Sequence, residues 1–216
     1  MEYTGEQLFI FFAFLPTLIA TVVGLVRYKF LSKSFQYLAQ LVFFALSIEI
    51  VSRVFWLYKI SNLFLWPLYI AVEFGMLVWI YSRELDSQFL KRYRVYIILF
   101  FCTYIAYRTL HTGSKITQID NGGRLLESIV VLALVLSYFG KLYRDQSFKT
   151  LKNNGLFGIS AGLFIFFSCN FLIFLFINFM LQYSQKLNYQ VWVIHGILNG
   201  ILYLSYTFAL WNNRES

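Results

Sequence analysis

Long apolar runs alternate with short charged ones from one end of this chain to the other. Seven runs come close to the ~20 residues that cross ~30 Å of hydrocarbon at 1.5 Å per residue. They cover residues 7–26, 35–57, 62–82, 94–110, 122–140, 155–181 and 189–211. Runs of this length, apolar on every side, predict helices in lipid, where each backbone polar group must be satisfied within its own segment. The two prolines, Pro16 and Pro67, lie within or at the start of such runs, and no linker rich in Ser, Pro or Gly divides the chain. The expectation is all-α: one seven-helix transmembrane domain over residues 1–216.

Composition strengthens that reading. A chain that is 59% hydrophobic and only 13% charged, with a mean hydropathy of +0.64, has more apolar surface than a soluble domain of 216 residues hides in one core. A net charge of +8 would suggest nucleic acid in a soluble protein. Here the basic residues sit in short loops beside apolar spans, so they are topology signals and contacts for anionic lipid head groups, and no nucleic-acid partner is expected. Arg27, Lys29, Lys33, Arg83, Lys91, Arg92, Arg94, Lys141, Arg144, Lys149, Lys152 and Arg214 fall on one side, twelve of the eighteen basic residues; Lys59, Lys115 and Lys186 fall on the other. That bias predicts an outside N-terminus and an inside C-terminus. The first run follows Glu2 and Glu6 and precedes Arg27, Lys29 and Lys33, the pattern of a retained anchor and not of a signal peptide.

The stretch 43–81 breaks the apolar rule and draws attention for that reason. It places Glu49, Arg53 and Glu73 inside would-be spans, where an ionisable group is costly and usually has a purpose. Glu49 and Arg53 are four apart, Arg124 and Glu127 three, His195 and Asn199 four, so each pair shares a helix face. Asn170 falls near the middle of the sixth run. If these groups face inward, Glu49, Arg53, Glu73, Glu127, Asn170, His195 and Asn199 line a polar pocket in the outer half of the bundle. Charges of both signs there suit a small polar or zwitterionic ligand. The plainer reading is that balanced pairs fix which helix packs on which. Arg108 and Arg124, near the outer ends of their spans, are expected to snorkel to the head groups.

Several chemical readings fail on spacing or depth. Gly158-Ile159-Ser160-Ala161-Gly162 matches G-x-S-x-G, the serine-hydrolase pattern of the rhomboid proteases among others. Ser160 lies near one end of its span and His195 near the opposite end of its own, ~15 Å apart along the membrane normal, whereas a hydroxyl and its base must approach within ~3 Å. The small residues there suit close helix packing. Glu49, Glu73, Glu127 and His195 are possible metal-ligand types, but three arginines in the same zone oppose a cation. Cys102 and Cys169 have no ligand spacing. No cofactor and no metal is expected, and no lysine in the seventh run offers a retinal Schiff base. LSKSFQYL at 31–38 resembles RDQSFKTL at 144–151, and at offsets of 121 and 122 Glu49 falls on Asn170 and Glu73 on His195, which suggests an internal repeat.

Ser61-Asn62-Leu63, Leu68-Tyr69 and Glu73-Phe74, with Glu49 upstream, resemble a group of small seven-helix bacterial inner-membrane proteins without an assigned activity. The similarity covers spans two and three and implies a bacterial inner-membrane setting. From the residues, two functions are expected. One is a receptor or sensor whose ligand enters from outside and whose signal passes to a separate partner protein, because the loops are too short to hold an enzyme domain. The other is a small-solute transporter, or a substrate-binding membrane subunit served by a separate energising protein, coupled through Glu73. An intramembrane hydrolase and a purely structural subunit rank behind both.

Overall fold

The computed structural model describes residues 12–112, 121–145, 155–183 and 185–213. Among these the chain is helical with no strand: α1 (Leu15–Arg27), α2 (Lys33–Leu57), α3 (Leu65–Glu84), α4 (Gln88–Thr112), α5 (Gly122–Arg144), α6 (Gly155–Tyr183) and α7 (Gln185–Asn212), with a 3₁₀ turn at Tyr28–Phe30. Five of them, α2, α3, α5, α6 and α7, are long and apolar enough to cross a membrane. This is an integral membrane protein. The first residues of the predicted span 7–26 lie outside the described residues, and α1 begins at Leu15. The fourth helix starts at Gln88, ahead of the predicted 94, and takes Lys91, Arg92 and Arg94 into its first two turns, which dilutes its apolar character.

Both prolines open helices: Pro16 is the second residue of α1 and Pro67 the third of α3. In a first turn the missing N–H has no intrahelical partner to lose. The second helix ends in a Schellman turn. Lys59 takes a left-handed conformation (φ 56°), its N–H bonds Trp56 O at 3.0 Å and that of Ile60 bonds Phe55 O at 2.9 Å, which satisfies carbonyls a helix end otherwise leaves open. Just past the third helix, Asp86 is also left-handed (φ 54°). Beyond it the Lys91 ammonium bonds the Asp86 carboxylate and holds its carboxyl below the usual carboxylate range.

Side-chain contacts gather the described basic loops at one end. Arg27 and the Ser32 N–H both reach Asn213, Lys141 donates to the Glu84 carbonyl at 2.7 Å, and the Arg94 guanidinium lies 3.8 Å from the centre of the Trp79 ring. The helices are apolar outside as well as inside. On α7, Ile194, Ile197, Ile201, Leu204 and Phe208 form an exposed stripe at helical spacing, while Leu198, Leu202, Tyr206 and Ala209 are buried on the other face. A helix apolar all round suits lipid on one side and protein on the other. In the packing order α1 lies between α2 and α7, α3 joins α2 to α5, and α6 lies between α5 and α7, with α4 docked mainly on α3 through the stacked Phe74 and Phe101 rings.

The α6–α7 seam is close. A β-carbon on Gly162 would stand 2.7 Å from Ser205 Oγ, and one on Gly155 would stand 3.3 Å from the Ala209 carbonyl oxygen. Within the 158–162 stretch Gly162 therefore serves helix approach, whereas a β-carbon on Gly158 would meet only Phe208 at 4.0 Å. Ser160, fully buried, shares a 2.7 Å hydrogen bond with the Tyr81 hydroxyl, so its oxygen is engaged by a phenol and not by an imidazole. The stretch 144–151 of the suggested repeat lies mostly outside the described residues.

Candidate functional site

In the half of the bundle away from the basic end, one guanidinium organises a buried polar cluster. The third helix presents Trp66, Tyr69 and Glu73 at i, i+3 and i+7, one face of a helix. The fifth presents Arg124 and Glu127, one turn apart. Arg124 Nη1 donates to Glu73 Oε2 and, at 2.6 Å, to Glu127 Oε2. Fractional exposure is 1% for Glu73, 1% for Arg124 and 0% for Glu127, so no part of this triad reaches solvent. Aromatic rings close around the cation: its Cζ lies 5.6 Å from the centre of Trp66, 5.8 Å from Tyr69 and 5.5 Å from both Phe166 and Phe167. Ring faces attract a desolvated guanidinium and replace part of the hydration it gives up.

A short hydroxyl chain extends the cluster to α7. The Tyr69 hydroxyl donates to Glu73 Oε1 at 3.0 Å and stands 3.3 Å from the Tyr203 hydroxyl. Each phenol has one proton, so Tyr203 is the donor to Tyr69. Beside the triad, His195 Nδ1 lies 2.7 Å from Asn170 Oδ1. An amide oxygen only accepts, so with Asn170 so oriented the imidazole carries its proton on Nδ1. The rings of Trp66, Phe166, Phe174 and Trp192 surround that imidazole at 5.8 to 6.4 Å.

Some buried polar atoms of the cluster have no hydrogen-bond partner among the described residues: Arg124 Nε, Glu127 Oε1, Asn170 Nδ2, Trp66 Nε1 and the Tyr206 hydroxyl. Such atoms are uncommon in folded proteins, and each asks for an explanation. Trp66 and His195 are half-buried, whereas Arg124 and Asn170 lie sealed behind them.

The seven residues expected to line one pocket divide. Glu73 and Glu127 meet on Arg124, and Asn170 meets His195 next to them. Glu49 belongs to a second group, where Thr17 of α1 donates to its Oε1 at 3.2 Å and the Arg53 guanidinium lies 4.6 Å from the Phe14 ring centre. Asn199 is half-buried on α7; the amide that positions His195 is Asn170 of the neighbouring helix, not Asn199 one turn away. Arg124 was expected to snorkel to the head groups and does the opposite, because two carboxylates and four rings hold it inside. Trp66, Tyr69, Tyr203 and Tyr206 were not among the residues expected to line the pocket. The Tyr69–Glu73 spacing of four, matched to Arg124–Glu127 at three, was the available signal.

An open groove of about 620 Å³ lies elsewhere, between α4 and α5 toward the basic end, with Leu90, Val130, Ala133 and Leu134 along its walls and Lys141 and Arg144 at its rim. No residue of the triad lines it. Among the described residues no cluster of three or more His, Cys, Asp or Glu side chains is arranged to hold a metal ion.

Fold and site together define a polytopic helical membrane protein with a charged cluster in its core. No family model, no curated protein and no solved structure matches the chain.

Proposed function

We propose that the chain is a seven-span bundle, N-terminus outside and C-terminus inside, in a bacterial inner membrane. In this reading it binds a small polar or zwitterionic ligand in the outer half and acts as a receptor or sensor through a separate partner. The asymmetry of basic residues supports the orientation, and cysteine labelling at Lys59 and Lys141 from either face of sealed vesicles tests it. The observation that carries the ligand reading is a set of buried donors at and beside Arg124 without a partner among the described residues: Arg124 Nε, Trp66 Nε1 and Asn170 Nδ2. The carboxylate of a small zwitterion complements those donors, and half-buried Trp66 and His195 mark its approach. The test is a thermal-shift screen of amino acids, betaines and small polar metabolites on the full chain in lipid nanodiscs. Saturable stabilisation by a zwitterion, lost in Trp66→Phe and Asn170→Leu, is expected. A flat response across the panel leaves the cluster a structural element.

A second reading, a proton-coupled carrier, is favoured by one feature: the triad holds two carboxyls for one guanidinium. Reconstituted protein taking up the stabilising solute under an imposed proton gradient, with uptake abolished by Glu73→Gln, separates carrier from sensor.

A further inference from the structure

The triad has an odd charge count for its setting. With both carboxyls ionised, Glu73, Arg124 and Glu127 together hold one uncompensated negative charge, fully enclosed and ringed by Trp66, Phe166 and Phe167. An unpaired buried charge is strongly disfavoured, and two carboxyls that share a site hold one proton between them for that reason. Among the described residues, the other groups facing the triad do not cancel the excess. The third helix adds the Tyr69 hydroxyl, α6 adds the neutral Asn170, and α7 adds His195, whose Nδ1 is bonded to that amide, together with the hydroxyls of Tyr203 and Tyr206. On α2, Glu49 belongs to the Thr17 group and has Arg53, one turn on, as its own opposite charge.

We infer that the triad is a proton-binding site: Glu73 and Glu127 hold one exchangeable proton at neutral pH, and Glu127 is the carboxyl that keeps it. The assignment follows from the hydrogen bonds. Both oxygens of Glu73 already accept, Oε1 from Tyr69 and Oε2 from Arg124, so neither is left open to carry a proton. Glu127 accepts through Oε2 alone, and its Oε1 has no partner among the described residues. Both carboxyls take a bond from the same Arg124 Nη1, so they lie side by side on one cation. Arg124⁺ and Glu73⁻ then balance, and the cluster is neutral. This places the proton one helix away from the Glu73 position expected from sequence, and it holds whether the protein senses a solute or carries one.

Infrared spectroscopy of the full chain in nanodiscs at neutral pH tests it without any ligand. A protonated-carboxyl C=O component that shifts in D₂O is expected in the wild type and retained in Glu49→Gln. It is lost in Glu127→Gln, and also in Glu73→Gln, because one remaining carboxyl then ionises against the one guanidinium. Thermal midpoints separate the two acids: Glu127→Gln, which imitates a neutral acid, stays at the wild-type value, and Glu73→Gln falls below it. Absence of the component in the wild type overturns the inference, and that measurement stands if a variant does not fold. Its persistence undiminished in both Glu127→Gln and Glu73→Gln overturns it too. A flat ligand screen leaves this result untouched, so the two proposals fail separately.

Discussion

The imidazole of His195 and the amide of Asn170, 2.7 Å apart between Nδ1 and Oδ1, tie α7 to α6 inside the bundle. Asn170 is fully buried, so removing its oxygen leaves an imidazole N–H without a substitute acceptor. Asn170→Leu is expected to lower stability by about 1 kcal/mol, the size of interhelical polar contacts in membranes. Thermal unfolding of the full chain in detergent checks this, and Asn170→Gln should recover part of the loss.

Arg124 is the residue whose loss the fold should tolerate least. Arg124→Met strands two buried carboxyls without a cation, a change of about 3–5 kcal/mol when one partner of a buried pair is removed. Adding Glu73→Gln and Glu127→Gln to Arg124→Met removes the stranded acids and should restore much of the thermal midpoint. A triple variant no more stable than the single one would assign the loss to the ring contacts around the guanidinium instead.

Close approach of α6 and α7 rests on a missing side chain. Because a β-carbon on Gly162 would lie 2.7 Å from Ser205 Oγ, Gly162→Ala forces a shift of the hydroxyl or of the helix, about 1–3 kcal/mol for overpacking. Ser205→Gly opens the space, so the pair should show a strong favourable coupling in a double-mutant cycle read by thermal unfolding.

Ser160 should behave as a packing residue. Its hydroxyl bonds Tyr81 at 2.7 Å, and Asn170, the partner of His195, lies ten residues further along the same helix, ~15 Å away at 1.5 Å per residue. Fluorophosphonate probes are expected to leave the protein unlabelled. Ser160→Ala should destabilise it by about 1–2 kcal/mol through the stranded Tyr81 hydroxyl. Labelling that disappears in Ser160→Ala would revive the hydrolase reading.

Helix placement was legible in the residue order because a long apolar helix is a local property: ~20 apolar residues specify it with no reference to the rest of the chain, and five of the described helices are long and apolar enough to cross a membrane. Predicted spans and observed helices agree closely from α2 through α7. The main departure is at α4, where Lys91, Arg92 and Arg94 were assigned to a loop; charged side chains at a helix end project into water without breaking the backbone pattern. Same-face pairs such as Arg124 and Glu127 were likewise readable, since helical periodicity alone relates them.

Which pairs meet across helices was not readable. One helix offers all its faces, and rotation about its axis is set by packing against several neighbours at once. Glu49 and Glu73 looked equivalent in the chain, yet α1 brings Thr17 to one and α5 brings Arg124 to the other. By itself the order of residues determined a membrane-embedded helical chain carrying intramembrane charge. Only the tertiary structure decided that two carboxyls share one guanidinium in a sealed core, because that depends on the mutual rotation of α3 and α5, and no local pattern encodes it.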